Sequence, residues 1–547
     1  MARRLSDLPV ESTTQADEEP APQRRAPASG TARNTAIFSA ATGLSRVAGL
    51  VREVVAARYF GTTGPASAFT LAFQVPNLVR SLFADAALSA AFVPIFTELL
   101  EKGQRKDAAR LAGTLLCVIV AALTAICALF ILAAGLIIPL FTSEYPPALQ
   151  DLAIGLSRVL FPIVLLLGIN GLVVGMLNAQ GHFGVPAIAP LAWNVVIIVG
   201  LIALEPLFSG GDRLYAYAIA VVVATAVQLA MCLPVLARID VRFDIRPQLS
   251  DPRLKRIFVL MVPITIGLGI INFDVLISST VGALVSEEVP AAIDKAFRIY
   301  MLPQGMFSVA VATVLFPALS RLAARRDLDG LRRTMATGIR QIWLLLVPAG
   351  AFCIVLAEPI VRLLYQRGEF DARSTDLVST ALICFSVALP FSGINLLLTR
   401  TCFSLQKPWI PTTQSVINLT VNAVVAFALY KPLGIAGPVI GTVLASICMT
   451  FGLTLRLRPL LGGGLEGRRN LETGARILLA SALLGGVAYV VHGVLDALLG
   501  EALLGQVVSV GAAALIAGGI YVPILLALGV QEARDVQALV VGRFRRG

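Results

Sequence analysis

Residues 45–53 read SRVAGLVRE and place two arginines inside an apolar stretch, residues 34–60, that is long enough to cross a membrane. The next apolar stretch, residues 66–90, carries Arg80 near its centre, and a later one carries Arg298. A charge at bilayer depth costs about 2.5–3.5 kcal/mol on insertion scales. We therefore expect these side chains to face a hydrated cavity lined by protein. Because guanidinium groups pair well with phosphate, the pattern indicates an anionic cargo.

The composition is that of a membrane protein along nearly the whole chain. Of 547 residues, 57% are hydrophobic and only 14% are charged, whereas soluble proteins average about 25% charged. Residues 1–33 form a polar tail without the apolar core of a signal peptide, and we expect this tail to be disordered and cytoplasmic. The net charge of +11 is attributed to basic loops that set membrane topology, so no nucleic-acid partner is expected.

About fourteen apolar segments of membrane-spanning length follow one another along the chain, which predicts an all-α polytopic protein. Basic residues concentrate in the loops after even-numbered helices, whereas loops such as residues 143–146 and 286–288 carry carboxylates. The positive-inside rule then predicts that both termini are cytoplasmic. An even number of helices follows from that orientation.

An internal repeat divides the chain into two similar parts. Three pairs of positions have nearly one offset, of 224, 223 and 224 residues: Phe73 with Phe297, Pro94 with Pro317, and Asn194 with Asn418. The repeat predicts two six-helix lobes, residues 34–240 and 241–460, followed by two extra helices and a tail, residues 461–547. Because the offset spans an even number of helices, the pseudo-two-fold axis should lie along the membrane normal, with substrate between the lobes.

The first helix carries a polar face within its apolar sequence. Ser45, Gly49 and Arg52 share this face because they are spaced by four and three residues. Arg46 lies about 120° around the helix from Arg52, and we expect the two arginines to flank one cavity. The alternative is that each arginine pairs with a carboxylate, for which Glu53 is a candidate beside Arg52.

Two later helices supply further candidates. Arg80 shares the second helix with Asn77, and Pro76 is expected to kink or unwind that helix. Asp294 and Arg298 are four residues apart, so they either form a pair within their helix or leave Arg298 free for cargo. We expect Lys295 to point elsewhere, near the outer interface.

A cation site is also conceivable in the second lobe. Oxygen atoms from separate helices could hold sodium, with Asp274, Asn418, Asn422 and Thr442 as candidate ligands, although ordinary hydrogen bonds between helices are the alternative. The seven cysteines and two histidines show no zinc-type spacing. The sequence contains no P-loop and no catalytic constellation, which predicts a transporter that is not an enzyme and has no bound cofactor. A sodium gradient or the membrane potential would then drive transport.

Several motifs occur in one order: SRVAGLVRE at 45–53, FQVPNLVR at 73–80, AFVP at 91–94, GMLNAQGHF at 175–183 and LYQRGEFD at 364–371. Together they resemble the MurJ/MviN family of lipid II flippases, of the MOP exporter superfamily. The resemblance covers about residues 34–530 and is specific because several motifs match in sequence.

The resemblance implies two lobes that form a V and open alternately to either side of the bacterial inner membrane. The family moves lipid II, the undecaprenyl-pyrophosphate-linked peptidoglycan precursor, to the outer leaflet. Its cavity arginines correspond to Arg46, Arg52, Arg80 and Arg298, which would hold the pyrophosphate together with Ser45, Gly49 and Asn77. Helices 13 and 14 would form a groove for the lipid tail. Membrane lipids and the cell-wall synthesis machinery are the other implied partners.

The chain departs from the family at positions where members often carry carboxylates: Ser67, Phe297 and Met301. A less acidic cavity is implied, in which Asp294 or Asp85 could compensate. Asn422 stands where the family's sodium site has an acid, which leaves Asp274 as the charged ligand.

Two other functions remain open at this point. One is export of another lipid-linked oligosaccharide or of a drug by a member of the same superfamily. The other is a non-transporting scaffold for cell-wall synthesis. Cationic drugs would favour an acidic cavity and a scaffold needs no buried charge, so the four arginines favour the flippase.

Overall fold

The computed structural model describes residues 28–83, 86–238, 243–244, 247–500 and 502–534, and these residues are almost entirely helical. The helices are α1 Ala28–Phe60, α2 Gly64–Phe83, α3 Ala86–Glu101, α4 Arg105–Ile137, α5 Pro147–Leu160, α6 Ile163–Ala179, α7 Gly184–Leu204, α8 Arg213–Leu236, α9 Pro252–Ala283, α10 Val289–Pro303, α11 Val309–Ala324, α12 Leu328–Val355, α13 Ala357–Tyr365, α14 Ala372–Ser404, α15 Trp409–Leu433, α16 Ala436–Leu460, α17 Gly467–Leu499 and α18 Leu503–Ala527. A five-residue π-helical segment, Gln304–Ser308, joins α10 to α11.

The helices fall into two groups by their hydropathy. Among the described residues, eleven helical segments are long and apolar enough to cross a membrane. The segments outside this set include α1, α2 with α3, and α9, and these carry many of the polar residues singled out by the sequence. They can cross only if neighbouring helices shelter those residues. The predicted total of fourteen spans therefore remains a prediction.

The sequence repeat extends to the helix boundaries. Shifting the first residues of α1, α2, α3, α4, α5, α7 and α8 by 224 gives the first residues of α9, α10, α11, α12, α14, α15 and α16 to within one position. We call α1–α8 the first lobe and α9–α16 the second. The backbone N–H of Ala291 donates to Ser67 Oγ at 3.1 Å, and these two positions are themselves 224 residues apart. Equivalent positions touch where a two-fold axis passes, so this contact locates the pseudo-axis.

The packing of α9 differs from the simple division into lobes. Leu254 and Ile257, near its start, are buried in the hydrophobic core of the first lobe. Further along α9, Ser278 approaches Asn422 and Thr442 of the second lobe. The helix therefore connects the two cores instead of belonging to one of them.

The C-terminal pair, α17 and α18, packs beside the second lobe. Its helices share a buried core with α12, and Tyr521 donates to the Leu344 carbonyl at 3.0 Å. The guanidinium of Arg340, buried in α12, bonds to Glu466 before α17 and to Glu532 after α18. These two buried ion pairs hold α17 and α18 against α12 at the end where the chain enters α17 and leaves α18.

One detail of the sequence-based prediction is wrong and another is narrowed. Residues 28–33 belong to helix α1, while residues 1–27 lie outside the described part of the chain. Helix α2 continues through Pro76 to Phe83, so the helix does not unwind there, and a kink at Pro76 stays a prediction. Neighbouring helices can satisfy the carbonyl that a proline frees.

The two lobes interlock at the turn between α1 and α2, an end of the molecule that we call the Gly61 side. The Glu369 N–H donates to the Arg58 carbonyl at 2.9 Å, across the lobe boundary. Gly61 and Gly368 both have positive φ, of 55° and 64°. A Cβ on Gly368 would lie 2.3 Å from the Arg58 oxygen, and one on Gly61 would lie 2.4 Å from the Glu369 oxygen. Only glycine allows this backbone approach.

We call the backbone contact at Gly61 and Gly368 the glycine latch, and side-chain hydrogen bonds reinforce it. Thr62 Oγ1 donates to Ser374 Oγ at 2.8 Å, and Tyr145 Oη donates to the Glu287 carbonyl at 3.4 Å. Asp371 caps α14, and its bond from the Ser374 N–H holds the pKa of that carboxyl below its usual range. The Gly61 side is thus closed in this conformation.

Replacing Gly368 with alanine should loosen the closure. The left-handed φ alone costs an alanine about 1–2 kcal/mol, and the new methyl group would also meet the Arg58 carbonyl. Maleimide labelling of Ser374→Cys, in a protein otherwise free of cysteine, should accelerate about fivefold or more.

Gly103→Ala is the matched control, because Gly103 also has a positive φ, of 71°, but has no atom within 4 Å of an added Cβ. Equal labelling of Ser374→Cys in the Gly368→Ala and Gly103→Ala proteins would show that the latch does not hold the lobes.

Candidate functional site

A buried carboxylate, Glu53 of α1, lies at the centre of a charged cluster between the lobes. Glu53 Oε1 accepts from Arg52 Nη2, and Glu53 Oε2 lies 3.1 Å from Arg298 Nε of α10. The same Arg298 atom lies 2.8 Å from Asp294 Oδ2. Arginines from different lobes are therefore joined by one carboxylate. Arg298 adopts the pairing that its spacing from Asp294 allowed.

Lys295 completes the cluster, in contrast to its predicted position near the outer interface. Its side chain is only 7% exposed, and its Nζ lies 5.8 Å from the centre of the Tyr365 ring. Lys295 lines the same cavity as Glu53, Asp294 and Arg298. The cluster of three cations and two carboxylates has a net charge of +1, far less than four free arginines would give.

The cavity beside the cluster is small in this conformation. Its volume of about 50 Å³ is bounded by α1, α2, α8 and α10. Ligand pockets usually measure about 300–1,000 Å³. A large ligand could therefore enter this cavity only if the lobes moved apart.

Arg52 is held from two directions. Its guanidinium carbon lies 4.8 Å from the centre of the Trp193 ring, a cation–π contact between α1 and α7. Its Nε is buried and has no hydrogen-bond partner in the described part of the chain. Buried donors are nearly always satisfied in proteins, so this unpaired group marks a place where an acceptor could bind.

Arg80 lies in a different environment from Arg52. Its Nε and Nη2 both donate to Asn77 Oδ1, at 3.0 and 2.8 Å, and Asn77 Nδ2 donates to Asn272 Oδ1 at 3.1 Å. Asn77 thus links Arg80 to α9. Arg80 and Asn77 border a second cavity, of about 220 Å³, inside the first lobe. The predicted substitute Asp85 lies outside the described residues.

The remaining candidates on α1 are placed as follows. Arg46 is exposed, and its Nη1 donates to the Gly305 carbonyl of the π-helical segment at 3.4 Å. Asn194 of α7 donates to the Ser45 carbonyl at 3.4 Å and lies 3.7 Å from a Cβ built on Gly49. Ser45 and Gly49 therefore serve the packing of α1 on α7, and their contact with substrate remains a prediction.

Three of the four predicted sodium ligands lie together. Asn422 Nδ2 donates to Asp274 Oδ1 at 2.7 Å and to Ser278 Oγ at 3.0 Å, and Ser278 Oγ lies 3.4 Å from Thr442 Oγ1. Asn422 Oδ1 is buried without a hydrogen-bond partner among the described residues, and a Cβ added to Gly441 would lie 2.6 Å from it. The group offers a carboxylate, an amide oxygen and two hydroxyls, a donor set that suits a hard cation. Asn418, one turn earlier on α15, is not part of this hydrogen-bonded group.

The importance of Glu53 is greater than the sequence indicates. Glu53 was considered only as a partner of Arg52, although a carboxylate in an apolar helix needs its own counter-ions, which Arg298 helps to provide. Lys295 lies on the same face of α10 as Ala291, four residues before it, and Arg298, three residues after it. This spacing could have indicated that Lys295 is buried. Trp193 gave no signal apart from its position beside the repeat anchor Asn194.

Comparison with known proteins identifies the class. The fold matches solved transporters of the MOP superfamily, among them an inward-facing multidrug resistance MATE transporter with a TM-score of 0.67 and 18% identity, over 76% of this chain and 95% of that one. A lipid II flippase MurJ in an inward closed conformation has a TM-score of 0.74 and 22% identity, over 89% of this chain and 99% of the other. The fold of this chain is therefore the fold of these two solved proteins.

Sequence comparison narrows the class to one family. Residues 56–507 match the family model for lipid II flippase MurJ. A probable lipid II flippase MurJ of Rhizobium meliloti is 30% identical over 465 residues, which are 83% of this chain and 85% of that protein. The lipid II flippase MurJ of Burkholderia cenocepacia is 28% identical over 425 residues, 76% and 82% of the two chains. The chain belongs to the MurJ family of lipid II flippases.

Replacing Glu53 with glutamine should destabilise the closed protein, because Arg52 and Arg298 would lose their shared anion. Removing one partner from a buried ion pair costs about 3–5 kcal/mol. The measurement is thermal unfolding of the purified protein in detergent, where Tm should fall clearly.

Glu98→Gln is the control, since Glu98 pairs with Lys102 on an exposed surface, and its Tm should match wild type. If Glu53→Gln unfolded at the same temperature as Glu98→Gln, the cluster would not hold the lobes together.

Proposed function

We propose that this protein moves lipid II from the inner to the outer leaflet of the bacterial cytoplasmic membrane by alternating access, without catalysing a reaction. The observation that carries the proposal is the convergence of Arg52 and Arg298, from different lobes, on one carboxylate beside a cavity at the lobe boundary. Membership of the family and the names of its relatives support the cargo.

The proposed role of the cluster is exchange between an internal and an external anion. When the lobes separate, the diphosphate of the cargo takes the place of Glu53 and Asp294 on the two arginines. The fork of a guanidinium suits two phosphate oxygens, and the unpaired Arg52 Nε supplies a further donor. When the cargo leaves, Glu53 returns and the arginines are again neutralised. Release of the cargo therefore does not leave Arg52 and Arg298 without a counter-ion.

We assign the Gly61 side to the periplasm and both termini to the cytoplasm. Loops on the Gly61 side carry Glu144, Glu287 and Glu288, whereas the opposite loops carry most of the basic residues. A membrane-impermeant maleimide added to intact spheroplasts should therefore label Ser143→Cys. Labelling from the cytoplasmic face alone would reverse the assignment.

Alanine at Arg52 or Arg298 should abolish complementation of a bacterium depleted of its own flippase, and alanine at Arg46 or Arg80 should impair it. Lysine should rescue only partly, because a point charge cannot reproduce a bidentate fork. The measurements are growth and accumulation of lipid II, with protein abundance determined in parallel.

Arg468→Ala is the control, since this arginine is 94% exposed at the start of α17 and should be dispensable. Full growth of Arg52→Ala and Arg298→Ala cells at normal protein abundance would remove the arginines from the mechanism.

We also propose that sodium binds at Asp274, Ser278, Asn422 and Thr442 and couples transport to the ion gradient. The proximity of a carboxylate, an amide and two hydroxyls from three helices supports this assignment. Sodium chloride should raise the Tm of the detergent-solubilised protein above that in choline chloride, as expected for a ligand that binds only the folded state.

Asp274→Asn should lose this sodium-dependent rise in Tm, whereas Asn418→Ala should retain it because its side chain is outside the group. A rise that survives Asp274→Asn would place the ion elsewhere, and no rise in wild type would dismiss the site.

A further inference from the structure

The second cavity, inside the first lobe, has a lining unlike that of the charged cluster. Its volume of about 220 Å³ lies between α2, α6, α7 and α8. Aliphatic side chains of α6 and α8 form one part of its wall. The rest of the wall comes from six aromatic and polar residues: Phe73, Asn77, Arg80, Trp193, Thr225 and Gln228.

The two cavities adjoin through shared walls. Phe73 lines both of them. Trp193 lines the second cavity, and the centre of its ring also lies 4.8 Å from the guanidinium carbon of Arg52. The indole N–H donates to Thr225 Oγ1 at 3.0 Å, which fixes the ring between α7 and α8. A ligand held by Arg52 would therefore have this cavity as its immediate neighbour.

The lining chemistry excludes a second phosphate site as the best occupant. Arg80 is the cationic group of this wall, and its Nε and Nη2 already donate to Asn77. The other polar groups, from Asn77, Thr225 and Gln228, are neutral amides and a hydroxyl, of which Asn77 also bonds to Arg80 and Asn272, and Thr225 to Trp193. Neutral amides and hydroxyls beside an aromatic ring suit a pyranose, which presents hydroxyl groups at its rim and C–H bonds on its face.

We infer that this cavity binds the sugar ring that is bonded directly to the diphosphate of the cargo. The inference rests on the proposed function, since it takes Arg52 as a diphosphate ligand. The first sugar of a lipid-linked precursor is joined to the diphosphate without a spacer, so its subsite must adjoin the arginines. Trp193 supplies the platform for the ring, and Gln228 supplies an amide for its polar substituents.

The size of the cavity limits what it can hold. Pockets for drug-sized ligands measure about 300–1,000 Å³. A cavity of about 220 Å³ therefore suits a single ring and not a disaccharide with its peptide. The remainder of the headgroup would extend toward the space between the lobes.

The second lobe has no counterpart to this subsite at the repeat-related positions. The residue 224 positions after Gln228 is Gly452, and a Cβ built on it would lie 2.0 Å from Gln414 Oε1. The side chain of Gln414 thus fills the corresponding space. The residue 224 positions after Trp193 is Ile417, so the aromatic platform is also confined to the first lobe.

The test compares two lipids that differ only in the sugar. Full-length protein in detergent is titrated with undecaprenyl diphosphate and with undecaprenyl diphosphate that carries one N-acetylhexosamine. Gln228→Leu keeps the size of the side chain but removes its amide, which should weaken binding of the sugar-bearing lipid by about threefold to tenfold. Binding of the sugar-free lipid should stay unchanged.

Three further variants sharpen the comparison. Gln414→Leu makes the same substitution in the second lobe and should affect neither lipid. Trp193→Phe keeps a ring beneath Arg52 but shortens the platform, so it should also weaken binding of the sugar-bearing lipid selectively. Arg52→Gln should weaken the binding of both lipids.

The outcomes separate the two proposals. If Arg52→Gln weakens both lipids while Gln228→Leu and Trp193→Phe leave their ratio unchanged, the diphosphate site stands and the sugar subsite is overturned. If Arg52→Gln weakens neither lipid, or wild type binds neither, the proposed diphosphate site fails and the subsite fails with it. Thermal unfolding of each variant in the absence of lipid identifies any that are misfolded. If either Gln228→Leu or Trp193→Phe is misfolded, the other variant decides whether the sugar subsite exists.

Discussion

The carboxylate of Glu53 is the interaction on which the arrangement of the lobes depends. It belongs to α1 in the first lobe and lies 3.1 Å from Arg298 of α10 in the second. Charges buried this deeply are retained only in pairs, because an unpaired one loses its hydration without compensation. The need of Glu53 and Arg298 for counter-ions therefore fixes α1 against α10. It also fixes the direction of Arg52, whose guanidinium extends from Glu53 to the ring of Trp193.

The glycine latch and the charged cluster act on the same segment of α1. Gly61 follows Glu53 by eight residues, which is about two turns of helix. A rotation of this end of α1 would therefore disturb the ion pairs and the backbone contact with Gly368 together. The connection is mechanical, since a continuous helix transmits its rotation over two turns. It offers a physical route by which exchange of anions at the cluster could be linked to opening of the Gly61 side.

Much of the fold was accessible from the sequence, because it depends on local rules and on a repeat. Hydropathy located the helical segments, and the 224-residue offset predicted two equivalent lobes whose helix boundaries the structure repeats. The cost of burying charge indicated that Arg52 and Arg298 face protein and not lipid, whereas the predicted convergence of four arginines holds for these two. The sequence did not reveal which neighbour each helix face would meet. Ser45 and Gly49 meet α7, Lys295 is buried within the cluster, and Arg80 borders a separate cavity. Helical spacing fixes the direction of a side chain from its own axis, but the position of the next helix depends on packing along the whole chain.

The duplicated architecture has a consequence for how many ways a ligand can fit. An interface with true two-fold symmetry offers every ligand two equivalent poses, related by half a turn. In this chain the residues 224 positions from Arg52, Glu53 and Arg298 are Leu276, Ile277 and Gln74, none of them charged. The scaffold has kept its symmetry while the charges have lost theirs. One pose is therefore favoured and its rotation-related partner is left without counter-ions, so a headgroup with two different ends would be received in a single orientation.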